Sequence, residues 1–102
     1  MVSAFTLGKD GLPRIDKDPA AALDYAIDWS DWLGADVIAA SVWTVTPPDG
    51  GLVASLPGVS GSPARVWLSG GTAGQVVRVT NRITTGLGRI DERSFNVRLV
   101  ER

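Results

Sequence analysis

The aspartates of LDYAIDWSDW, residues 23–32, are the nearest thing in this chain to a chemical constellation. Asp24, Asp28 and Asp31 are of the type that works in pairs at a glycosidic bond or in groups around calcium. On a strand, Asp24 and Asp28 share a face but stand about 13 Å apart at roughly 3.3 Å per residue. That exceeds the spacing of a glycosidase pair, so outward, solvated carboxylates are the expectation, with a calcium site as the alternative. Ser60, Ser62 and Ser69 lie in expected loops, but there is no histidine to activate them. The lysines that could stand in as a base, Lys9 and Lys17, both fall in the N-terminal stretch. With no cysteine either, disulfides, thiol chemistry and the common zinc sites are excluded. The residues predict no enzyme and no cofactor.

SGGTAG, residues 69–74, has the glycines of a phosphate-cradling loop. A Walker-type loop needs a lysine and a Ser/Thr after its glycines and must open a helix. Here the run leads into QVVRV, an alternating strand, so an inter-strand loop with glycines at positive φ is expected. Trp67, beside Arg65, is the remaining candidate. Val66 and Leu68 claim the core in ARVWLS, which turns Trp67 and Arg65 to the outer face, where an aromatic marks a partner surface or a stacking platform.

The elements that must hold these residues follow from alternation and punctuation. At 102 residues, 44% apolar and 21% charged, the chain predicts one folded domain, with Trp29, Trp32, Trp43 and Trp67 as anchors of the core. Residues 1–18 show neither period 2 nor period 3.6 and read as an extended N-terminal arm outside a domain of residues 19–102. Residues 19–34 are ambiguous: Asp18-Pro19 resembles a helix start, yet Leu23, Tyr25, Ile27 and Trp29 alternate with polar or small residues. A strand is expected there, followed by a turn of helix over 30–33. DVIAASVWTV, residues 36–45, is β-branched and apolar on nearly both faces, as a central strand is. Prolines and glycines at 47–51 turn the chain. Strands are expected at 52–56, 64–69, 75–85 and 94–100, with 57–63 as loop and GLGRIDER as a hairpin connection. Short strands so punctuated predict an all-β antiparallel sandwich.

Charge is unevenly distributed. Residues 18–49 hold six acids and no base, whereas from Arg65 onward seven arginines face three acids. Solvated faces of different strands account for this, or complementary faces that meet in a head-to-side assembly. With a net charge of −1 a nucleic-acid partner is not expected. The apolar runs are too short to span a membrane, and the N-terminus lacks a signal-peptide pattern, so synthesis in a cytoplasm is expected.

LDYAIDWSDWLGADVIAASVWTV, followed by VWLSGGTAGQVVRVTNRITTGLGRIDERSF, resembles the fibre-tail adaptor proteins of tailed bacteriophages over about residues 18–100. Val77 stands where such proteins often have an aromatic, a departure that bears on packing more than on role. The resemblance implies an immunoglobulin-like β-sandwich and a structural role without catalysis. It further implies a place at the neck or tail of a virion, in a multi-copy ring that joins portal, connector or tail components to fibres. In that setting the arm would lay Phe5, Leu7, Leu12 and Ile15 on a neighbouring subunit, and Trp67 with Arg65 would form an exposed interface. A carbohydrate-binding sandwich of a host-recognition structure is the alternative.

Overall fold

The computed structural model describes residues 5–7, 14–46 and 51–101, the first of these segments by its backbone. Eight strands and one helical turn follow in the order β1 Phe5–Leu7, β2 Arg14–Lys17, β3 Ala22–Asp28, α1 Ser30–Leu33, β4 Ile38–Thr46, β5 Leu52–Val59, β6 Pro63–Gly70, β7 Val76–Thr85 and β8 Ile90–Leu99. They form two four-stranded sheets, ordered β1-β3-β6-β5 and β2-β8-β7-β4.

Period-2 alternation decides which side chains meet between the sheets. Tyr25 and Ile27 of β3 pair in register with Val66 and Ala64 of β6, and all four are buried. Across from them, Val77, Val79 and Ile83 of β7 and Phe95, Val97 and Leu99 of β8 are fully buried. The two layers touch at Tyr25 and Phe95, whose ring centroids are 6.1 Å apart. Each such apolar side chain contributes roughly 1.5–3 kcal/mol on leaving water, and together they form one core.

The ambiguous segment is a strand followed by a helical turn, as its alternation predicted. Several expectations are corrected. The arm does not lie wholly outside the domain: Arg14–Lys17 is an edge strand running parallel to β8, and Phe5–Leu7 pairs parallel with β3. The sheets are therefore mixed, with parallel pairs at the edges that β1 and β2 occupy. DVIAASVWTV is not central. Its strand, β4, closes the edge of its sheet, and its apolar outward residue Val42 is exposed. The 57–63 loop shrinks, because β5 runs on to Val59 through an irregularity between Ser55 and Gly58. Residues 90–93 likewise belong to β8, so only the turn before them connects the hairpin. Of the four tryptophans only Trp29 is fully buried; Trp32 and Trp43 are half-buried.

SGGTAG joins β6 to β7 as an inter-strand loop, with Gly70, Gly71 and Gly74 all at positive φ. Gly71 is required on two counts. Its φ is +105°, and a Cβ there would lie 2.5 Å from Leu99 Cδ1, so the loop can close over the end of β8 only without a side chain.

Candidate functional site

The densest set of specific interactions lies at one end of the sandwich and includes one residue singled out for chemistry, Asp28. It begins where β3 runs out. Asp28 Oδ1 accepts the backbone N–H of Ser30 at 2.9 Å, the turn of an aspartate that starts a helix; Trp29, just before α1, is buried, and Trp32 of α1 lies beside it. Their rings meet edge to face at 5.5 Å between centroids. Trp29 Nε1 donates to Asn81 Oδ1 at 2.9 Å. Asn81 Nδ2 donates to Ser41 Oγ at 2.8 Å and to the Val42 carbonyl at 3.2 Å. One buried amide thus ties the tryptophan to β4 and satisfies its own polar atoms.

Two arginines from the β7–β8 hairpin cover these rings. The Arg93 guanidinium lies 4.2 Å from the Trp29 centroid and donates to the Asp28 carbonyl at 2.9 Å. The Arg89 guanidinium lies 4.3 Å from the Trp32 centroid, donates to the Leu33 carbonyl at 3.0 Å and pairs through Nε with Asp36 Oδ2 at 3.1 Å. Asp36 Oδ1 also accepts the backbone N–H groups of Val37 and Leu87. A hydrogen bond from Thr85, followed by those from Val37, Arg89 and Leu87, holds the Asp36 carboxyl below its ordinary value, against the opposing effect of desolvation. The arrangement fastens α1 and the start of β4 to the β7–β8 hairpin, with Arg89 and Asp36 spent on each other and Arg93 on the Asp28 carbonyl.

A second buried charge sits on the other sheet edge. Lys17 points inward from β2, only 1% exposed, and its Nζ donates to the carbonyls of Asp18 and Gly70, both at 2.9 Å. Desolvation pushes its pKa below the ordinary value, with the Asp18 charge opposing. Because Gly70 ends a strand of the facing sheet, this lysine bridges the two layers.

Among the sequence candidates, Asp24 and Asp28 lie on the outward parity of β3, and Asp31 is exposed on α1. No group of three His, Cys, Asp or Glu side chains able to hold a metal ion exists among the described residues. Trp67 does face outward and is 38% exposed. Arg65 is half-buried beside it on the same face, its Nε buried without an acceptor among the described residues. Ile15 is corrected: it pairs with Val97 and packs against the chain's own core. Phe5 and Leu7 align with Tyr25 and Ile27 through backbone pairing, and Leu12 lies outside the described residues.

Sequence reasoning missed Asn81, Arg89, Arg93 and Asp36. The available signal was the pair of spacings, Trp29 with Trp32 and Arg89 with Arg93, in two segments that each also matched the resemblance. Those segments fall within residues 17–98, which match the family model for the podophage GP4 fiber-tail adaptor protein gp77. The chain belongs to this fiber-tail adaptor family. No curated protein matches it. Among solved structures it is similar to the solution structure of Amebosin, at 14% identity over 93% of this chain and 96% of that one, with a TM-score of 0.46, a likeness too slight to carry an argument.

Proposed function

We propose that this fiber-tail adaptor is a non-enzymatic structural protein of a tailed-bacteriophage virion, set at the neck or tail, where copies in a ring join portal or tail components to fibres. The family match over residues 17–98 carries the reading. The strand order supports it. With β2 set aside, the first, second, fifth and fourth strands make one sheet and the seventh, sixth and third the other, the order of an immunoglobulin constant-type sandwich. The parallel pairing of β1 is a departure from that plan. A body tied by Asn81, Lys17 and two arginine–tryptophan stacks supplies the rigidity that fixed spacing between partners demands.

Residues before Arg14 supply the reach. Phe5–Leu7 is held to β3 by three register pairs, short enough for exchange between copies at low cost, and Phe5, Leu7 and Leu12 are the proposed contacts to a neighbour. Removing residues 1–13 while keeping β2 should leave a folded chain that no longer joins particles. Unimpaired incorporation of the truncated chain would sink this role for the segment.

The decisive experiment is electron microscopy of particles grown with and without the chain. Particles lacking it are expected to lose their fibres, with labelled chain found at the neck or tail of complete ones. Fibres retained on particles without the chain would overturn the adaptor reading. Trp67, exposed beside Asp24 on an outer sheet face, favours a second reading, a carbohydrate-binding module. Binding on a glycan array that Trp67→Ala abolishes is the result that reading requires.

A further inference from the structure

The outer faces of the two sheets differ in character: one carries an exposed tryptophan beside an aspartate, the other three exposed arginines. On the β1-β3-β6-β5 sheet, Asp24, Trp67 and Ser55 stand in one register row, and Val53, of the same outward parity, is 53% exposed. An exposed tryptophan beside an exposed valine marks a partner surface. The Nε of Arg65, buried on this face without an acceptor among the described residues, adds an unsatisfied donor to the same patch.

On the β2-β8-β7-β4 sheet the outward row of β7 is Arg78, Thr80 and Arg82, and Arg98 projects from β8 next to it. All three arginines are exposed, and none forms an ion pair among the described residues, although Glu92 stands opposite Arg82 in register. A guanidinium stacks its plane on an indole while its N–H groups reach a carboxylate. The chain builds that pairing within itself at Trp32, where Arg89 stacks and reaches Asp36, while Arg93 stacks on Trp29 and reaches the Asp28 carbonyl. Trp67 beside Asp24 offers the same two acceptors, with no arginine stacked on Trp67 among the described residues.

We propose that the Trp67–Asp24–Val53 face of one copy of this chain binds the Arg78–Arg82–Arg98 face of a second copy. The two faces belong to different sheets and look out from opposite sides of the sandwich, so the contact is head to tail. It leaves a free face at each end and closes only as a ring. The inference rests on the multi-copy reading above and names the surfaces through which the copies meet.

Complementation in solution tests it. Sedimentation velocity of the wild-type chain is expected to show association beyond a dimer. Trp67→Ala, with its arginine face intact, and the double variant Arg78→Glu/Arg82→Glu, with its tryptophan face intact, are each expected to associate at least about thirtyfold more weakly. Mixed together, the two variants are expected to form a one-to-one dimer that grows no further, because each brings one working face. Should Trp67→Ala fail to fold by circular dichroism, Asp24→Arg replaces it. A wild-type chain that stays monomeric at every soluble concentration overturns the proposal. So does a double arginine variant that associates as wild type does, since the tryptophan face would then be pairing with itself, and so does a mixture that stays monomeric. Complementation together with fibres retained on chain-free particles would preserve these faces and remove the adaptor role. Fibre loss without complementation would do the reverse.

Discussion

A single amide decides how the tryptophan end is held. Asn81 accepts from Trp29 and donates to Ser41 and to the Val42 carbonyl, so Asn81→Ala strands a buried indole N–H and frees β4 at once. An unsatisfied buried donor costs about 1–3 kcal/mol, and chemical denaturation should show a loss of at least that size, with Asn81→Asp partly retaining the indole bond. Asp36 gives a pH signature. Its folded pKa is depressed, so its stabilising contribution is present above the ordinary carboxylate value of about 3.9 and fades as pH falls through the folded value. Asp36→Asn should therefore be less stable than wild type near neutrality and approach it at acid pH, read from denaturation midpoints across that range. Neither residue was legible beforehand. Asp36 and its partner Arg89 are 53 positions apart, and spacing along a chain says nothing about a pairing that only the fold creates. The tryptophans were legible as core formers but not by degree, since burial depends on which strand ends at an edge.

At the scale of elements, alternation located the strands from 22 onward, because half-buried strands write their orientation into every second residue. It failed at two edges, for opposite reasons. β2 was missed because RIDK has only four residues and places Lys17 on the inward row, where a charged residue reads as solvent-facing until two carbonyls are found around its ammonium. β4 was read as central because it is apolar on both faces, whereas it lies at a sheet edge with Val42 exposed. The glycine loop was legible in kind, and the fold adds why it tolerates no side chain at one position. Gly71→Ala would force a Cβ onto Leu99 in a left-handed backbone, and roughly 2–4 kcal/mol of destabilisation is expected from strain and overpacking together. Gly74→Ala, where a Cβ meets open space at a similar φ, should cost less. Comparing the two melting temperatures separates the clash from the backbone term.

For the whole molecule, part of the uneven charge seen along the sequence becomes a difference between sides. Arg78, Arg82 and Arg98 stand on one outer face, and Asp24 stands beside the exposed tryptophan of the other. Association through such faces is partly screened by salt, since the Debye length shrinks from about 10 Å at 0.1 M to about 3 Å at 1 M. Raising ionic strength over that range should shift the wild-type chain toward monomer in sedimentation velocity. Association that strengthens with salt would indicate an apolar contact alone. The parallel pairing of β2 with β8 has a mechanical consequence. One strand leads in from the start of the chain and the other leads out toward its end, and four register pairs, Arg14 with Asn96 through Lys17 with Leu99, join them side by side. Tension applied between the two ends of the chain pulls these strands past each other in shear and loads all of their hydrogen bonds together, so none is peeled open before the rest. A protein strung between two other bodies resists pulling best in that geometry.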